Sequence, residues 1–217
     1  MTSFSRRKAV AGLAALAAAF TLSGVSAGSA ASAASAEHRE QKPEYASVTG
    51  SAEFVLPYYK DNDIRSFTFD AHAAPYSRPL PGGRMSKGLP TDARGTVKIS
   101  HYSAEQNITY TSEGRVDCLV TGPGTATLTA IITKVGPGGP DSVGQRVGFS
   151  VYDGGKDRGR SKDRVGFSWN GVNLMPKGDA EPEDAPVGTC MAPAPYAPVV
   201  KGGYTVKHAE LLPEPKG

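Results

Sequence analysis

The chain has 217 residues, with 24 basic and 21 acidic side chains and 39% hydrophobic residues. Three of the basic residues, Arg6, Arg7 and Lys8, stand in a leading segment that holds no acidic residue, so the rest of the chain is balanced in charge. That balance excludes a protein that coats nucleic acid through a globally basic domain, and about 180 residues beyond the leader suit one domain with a substantial core.

Arg6, Arg7 and Lys8 precede the uncharged run AVAGLAALAAAFTLSGV and then the small residues GSAASAASA. The order charged, apolar, small is that of a secretory signal peptide. Cleavage is placed after Ala36, with the bond after Ala27 as the alternative. Residues 1–36 are therefore read as signal, 37–46 as a polar lead-in and 47–217 as a single β domain. Both Sec and twin-arginine export stay open, because SRRKAV has paired arginines but Ala9 and Val10 where the twin-arginine route usually shows Phe and Leu. The first cysteine is Cys118, too far on to carry a lipid anchor, and no later apolar run reaches the length of a membrane span. The expectation is a secreted, extracellular protein.

Beyond the lead-in the sequence alternates with period two, the mark of half-buried strands. SAEFVL is the first such run. SFTFDAHA sets Phe67, Phe69 and Ala71 on one face and Thr68, Asp70 and His72 on the other, and GTVKISHY does the same with Val97, Ile99 and His101. Ile108, Tyr110, Ser112, Gly114, Val116, Cys118 and Val120 keep one parity, predicting a long strand bent at Gly114 with Cys118 facing the core. TATLTAIITKV follows a Gly122-Pro123-Gly124 turn. QRVGFSVY and RVGFSWNG repeat the phrase VGFS, and GGYTVKHAEL closes the series. The fold class is all-β: about eight antiparallel strands as a barrel or a sandwich. The 26 glycines and 17 prolines cluster between the runs, and two connections, 73–93 and 171–201, are long. The second, with GDAEPEDAP and APAPYAP, is expected to be extended, and a tie is needed to hold so long a connection.

Cys118 and Cys190 supply that tie. An even pair in an exported chain predicts a disulfide rather than a metal site or a reactive thiol. In an up-and-down meander Cys118 lies near one end of its strand while the connection carrying Cys190 starts at the other. Either that connection runs down the side of the sheet or the last strand leaves the meander.

FTFDAHA, GTVKISHY, VDCLVTG with TATLTAIIT, GQRVGFSVYD, DRVGFSW and a late cysteine with GGYTV occur here in the order in which they occur in a family of secreted actinobacterial proteins labelled repetin-like, which this chain resembles over about residues 47–210. The resemblance implies no established activity, and the 73–93 insert is longer than the family pattern.

Catalytic signals are sparse. GFSWN around Ser168 lacks the second glycine of a nucleophile elbow and lies in a strand. His72 shares a polar face whereas His101 and His208 share apolar ones, so a three-histidine zinc site is not expected. The glycines of GPGTAT precede a strand, not a phosphate-cradling helix, and no cofactor is expected. Asp153, Asp157 and Asp163 are weak candidates for a hard cation; Lys156, Arg158, Arg160, Lys162 and Arg164 surround them with positive charge, and their spacing is not that of an EF-hand.

In a simple meander the 73–93 insert, the 122–124 turn and the charged stretch 153–163 meet at one end. Arg78, Arg84, Lys87, Lys156, Arg158, Arg160 and Lys162 there outnumber Asp92, Asp153, Asp157 and Asp163, while Asp179, Glu181, Glu183 and Asp184 fall in the opposite connection. The sequence therefore reads as a secreted, non-enzymatic β-rich protein of unknown ligand, its charged stretch either a solvated hairpin tip that needs no ligand or part of a basic end that attracts an anionic cell-wall polymer; nucleic acid is not specifically indicated. The alternatives are a secreted hydrolase with acid and base residues on separate strands, or an extracellular protease inhibitor.

Overall fold

The computed structural model describes residues 44–157 and 160–216, and leaves out the side chains of Arg84 and Asp157. The signal segment with both candidate cleavage bonds, residues 37–43 of the lead-in, and Arg158 lie outside the described residues.

The strands, in chain order, are β1 (Ser47–Phe54), β2 (Ile64–Ala73), β3 (Ala93–Ser103), β4 (Ile108–Gly122), β5 (Thr125–Val135), β6 (Arg146–Tyr152), the short β7 (Lys156–Asp157) and β8 (Arg160–Ser161), β9 (Arg164–Phe167), β10 (Leu174–Lys177), β11 (Ala180–Asp184) and β12 (Ala197–Lys207). Eight of them, β1, β2, β3, β4, β5, β6, β9 and β12, close into an antiparallel barrel in that order, with β12 paired back onto β1. The remaining four form two small hairpins, β7–β8 and β10–β11. Closure settles the choice between barrel and sandwich, and it removes the exposed edges that an open sheet would present.

The alternation reads directly into the walls. Phe67, Phe69 and Ala71 of β2 and Val97 of β3 are buried in the core, whereas Asp70, Arg94, Thr96 and Lys98 on the other parity are exposed. Apolar side chains fill the interior and polar ones face outward, the reverse of a lipid-facing barrel. The centre is aromatic: Phe67 lies edge-on to Phe149 at 5.1 Å and to Phe167 at 5.5 Å between ring centroids, and Phe69 meets Tyr204 at 5.1 Å. Tilted and edge-on pairs of this kind add to the burial itself.

The predicted single parity of β4 does not hold. Val116 pairs with Ala130 but Cys118 pairs with Thr129, so Asp117 is an extra residue, a β-bulge. Beyond it the faces exchange. Leu119, opposite Leu128, enters the core, and Cys118 turns to the outer face. Cys118 is nonetheless fully buried, because something covers it from outside.

The cover is the segment 188–196. Cys190 is bonded to Cys118, with Cα atoms 5.4 Å apart, and its N–H donates to Thr129 Oγ1 at 3.3 Å. From there the chain crosses the outside of β6 and β9: Ser150 Oγ donates to Pro193 O at 2.5 Å, and Arg164 donates to Pro195 O at 3.1 Å and to Tyr196 O. It then enters β12, where Ala197 pairs with Val165. The long connection thus runs down the side of the barrel while the last strand keeps its place in the meander.

This strap explains the repeated VGFS. Phe149 pairs with Phe167 and Val151 with Val165, all inside, while the glycines face the strap. A Cβ on Gly148 would stand 2.0 Å from Met191 O, and one on Gly166 would stand 2.4 Å from Ala194 O. Each copy supplies valine and phenylalanine to the core and a bare backbone under the strap. The first part of the 171–201 connection departs from the expected extended chain, since the GDAEPEDAP stretch folds back as the exposed β10–β11 hairpin.

Candidate functional site

Alternation of the connections gives the barrel two distinct ends. Residues 74–92, 123–124 and 153–163 lie at one, the β7–β8 end; residues 55–63, 104–107, 136–145 and the start of the β9–β12 connection lie at the other, the mouth.

At the β7–β8 end the acidic residues turn inward. Asp92 is buried and holds the 74–92 loop, accepting from the Arg78 N–H at 2.9 Å, the Leu89 N–H at 3.1 Å and the Arg78 guanidinium at 3.2 Å. Asp163, also buried, accepts from the backbone N–H of Tyr204 at 2.7 Å and of Gly154 at 3.1 Å, and Asp153 accepts from Val206 N–H at 3.0 Å. The cause is a short seam. β9 and β12 pair only at Ala197 with Val165 and Pro198 with Arg164, and beyond that point the carboxylates take the place of a partner strand for β12's amides. The same carboxylate, after burial itself, pushes the Tyr204 phenol far above its ordinary range.

Asp153 and Asp163, weak candidates for a cation within a stretch otherwise read as a solvated hairpin tip, are engaged by backbone amides, and Asp163 is buried rather than solvated. Asp153 and Asp163 close the barrel, Asp157 has no described side chain, and no group of three metal-ligating side chains occurs among the described residues. The three strand histidines do not meet either. His72 bonds to Asp70 on the outer face, His208 to Thr121 and Glu210, and His101 to Asp63 at the mouth. Ser168 is buried, and its Oγ accepts the Gly148 N–H at 2.9 Å.

The basic residues at this end divide. Arg78 is tied to Asp92, and Lys87 donates to Pro215 O at 2.7 Å with Glu214 nearby at 3.7 Å. Lys156, Arg160 and Lys162 are exposed on the β7–β8 hairpin and its return. That hairpin and β12 flank an open groove of about 670 Å³, lined by Lys156, Arg160 and Lys201 and floored by Asp153, Asp163 and Gly203.

The mouth was not singled out by sequence. Asp61 and Asp63, just before β2, take Arg65 between them: its guanidinium donates to both Asp61 oxygens at 2.9 and 2.5 Å and to Asp63 at 3.1 Å. Asp63 also contacts His101 Nε2 at 2.7 Å and accepts the Ala104 N–H at 2.9 Å. The Arg65 bond holds the Asp61 carboxyl below its ordinary value, and the Ala104 N–H followed by His101 does the same for Asp63. The pairing raises Arg65 in turn, chiefly through Asp61. Inside this polar rim lies a cavity of about 180 Å³ walled by Phe54, Phe67, Ile99, Phe167 and Trp169. The alternation that put His101 on the inner face of β3 was the one sequence signal for it.

No family model, curated protein or solved structure matches this chain.

Proposed function

We propose that this is a secreted, non-enzymatic barrel that associates with an anionic cell-envelope polymer through its β7–β8 end. One observation carries the reading. Three acidic side chains of that end, Asp92, Asp153 and Asp163, are directed into backbone amides, while Lys156 and Arg160 stand exposed on an open groove. Three carboxylates are thereby turned inward and two basic side chains outward, although Glu44, Glu210 and Glu214 stay exposed near the same end. A flexible polyanion laid along the groove would meet Lys156 and Arg160, with Lys201 across from them already paired to Glu53 at 2.8 Å, attracted by screened charge rather than by a shaped pocket. The exposed carboxylates of the β10–β11 hairpin, among them Asp179, Glu181, Glu183 and Asp184, lie in the connection that leaves the mouth and would disfavour approach of the polymer from that side. The resemblance to secreted repetin-like proteins and the Cys118–Cys190 bond agree with an extracellular setting. Retention on purified cell walls across a salt series tests the reading: binding must fall as ionic strength rises.

A further inference from the structure

The mouth of the barrel makes a second site, at the end opposite the groove, and it stands or falls independently of the polymer reading. We infer that the cavity there binds a free, neutral, single-ring aromatic molecule bearing one polar oxygen, a simple phenol being the type.

Size sets the first limit. An eight-stranded barrel leaves an interior that is filled by its own side chains or holds one small ligand. This one is filled at its centre by Phe67, Phe69 and Phe149, and leaves a cavity of about 180 Å³ against Phe54, Phe67, Phe167 and Trp169. A dry cavity of about 150 Å³ takes a benzene ring, so there is room for one ring and no more.

The walls set the second. Phe54 and Phe67 are 4.6 Å apart, Phe167 and Trp169 4.6 Å, and Phe67 and Trp169 5.7 Å, none of them stacked face to face. Inclined rings leave faces and edges turned toward the space between them, which suits a further aromatic ring in a tilted or edge-on contact. Ile99 also lines the cavity.

Charge sets the third. The polar residues lining the cavity are Arg65, Ser100, His101 and Asn170; Asp61 and Asp63 do not line it but bond Arg65 from outside. A cation inside would face the guanidinium and no carboxylate, since neither aspartate lines the wall. An anion would meet a guanidinium already held by two carboxylates, and would lose its hydration for little return. A neutral hydroxyl avoids both costs and has His101, Asn170 and the guanidinium edge as hydrogen-bond partners. A free molecule is favoured over the side chain of a bound peptide, because the closed ring of strands offers no edge beside the cavity on which a peptide backbone could pair.

Trp169 is the single tryptophan of the chain and lines the cavity, so its emission reports occupancy directly. The test titrates the intact secreted protein with phenol by Trp169 fluorescence and with 4-fluorophenol by fluorine NMR. Saturable binding with a dissociation constant on the order of 1 mM is expected, with cyclohexanol, benzoate, benzylamine and glucose all weaker. Ile99→Phe, which fills the space, should weaken phenol about tenfold, a loss of about 1.4 kcal/mol. Since a substitution in the wall can disturb folding, Asn170→Gly is the second variant: Asn170 is exposed at the rim with φ of 64°, a conformation glycine adopts freely, and the change removes only the carboxamide. It should weaken phenol about threefold, and because the carboxamide also donates to the Tyr58 hydroxyl at 3.4 Å, the melting temperature is measured alongside, with little change expected for an exposed bond of that length. The inference is overturned by no saturable phenol binding, by equal binding in both variants, by benzoate, benzylamine or glucose binding as tightly as phenol, or by N-acetyltyrosinamide binding more tightly, which would make the site a peptide-side-chain pocket.

Discussion

Asp163 Oδ2 accepts the backbone N–H of Tyr204 at 2.7 Å, and through that bond a side chain does the work of a strand in closing the barrel. Replacing Asp163 by Ala leaves the Tyr204 and Gly154 amides without their acceptor in a buried place. The expected loss is about 2–4 kcal/mol in denaturant unfolding, while Asp163→Asn, which keeps an acceptor oxygen, should lose less. Equal stability of Asp163→Ala and the natural protein would show that the seam closes without it.

Folding is expected to proceed without a metal at Asp153 and Asp163, whose carboxylates are occupied by backbone amides. Chelation is expected to leave the thermal midpoint unchanged. A fall of several degrees on adding chelator, reversed by calcium, would return those carboxylates to the cation reading.

The strap and its disulfide form one unit. Titration of the denatured, unreduced protein should find no free thiol, and removing the 72-residue crosslink should cost about 4 kcal/mol. Gly148→Ala places a Cβ against Met191 O and is expected to cost about 1–3 kcal/mol. Because the clash is with the strap, that cost should shrink in a Cys118→Ser/Cys190→Ser background, where the strap is free to lift. Additive losses in a double-mutant cycle would separate the glycine from the strap.

Acid should loosen the mouth. Asp61 and Asp63 have folded pKa values below the ordinary 3.8, so as pH falls the unfolded chain takes up protons first. Their contribution is full above about pH 4 and is lost as pH drops through the lowered values. Melting temperature should therefore fall more steeply below that point in the natural protein than in Asp61→Asn/Asp63→Asn. Parallel curves for the two would contradict the assignment.

Much of this architecture was legible because strand alternation is a local signal. Phe67, Phe69, Val97, Leu128, Phe149 and Phe167 declare their faces within a few residues, and the meander follows from short connections. Two features were hidden. The bulge at Asp117 inverts the faces of β4 and carries no mark in the sequence beyond a charged residue between Val116 and Cys118, so Cys118 was assigned to the wrong face although its partner was identified. The mouth joins Asp63 to His101, 38 residues apart, and a cluster assembled across a barrel end leaves no spacing to read. The VGFS repeat was visible, but its reason, a strap lying on Gly148 and Gly166, required knowing where residues 188–196 run.

The most direct test of the polymer reading is retention on purified cell walls at low and high salt, comparing the natural protein with one in which Lys156, Arg158, Arg160 and Lys162 are changed to Ser. The account predicts that the natural protein is held at low salt and released at high salt, and that the variant, folded to the same melting temperature, is held at least several-fold less at low salt. Equal retention of the two, or retention indifferent to salt, would contradict it.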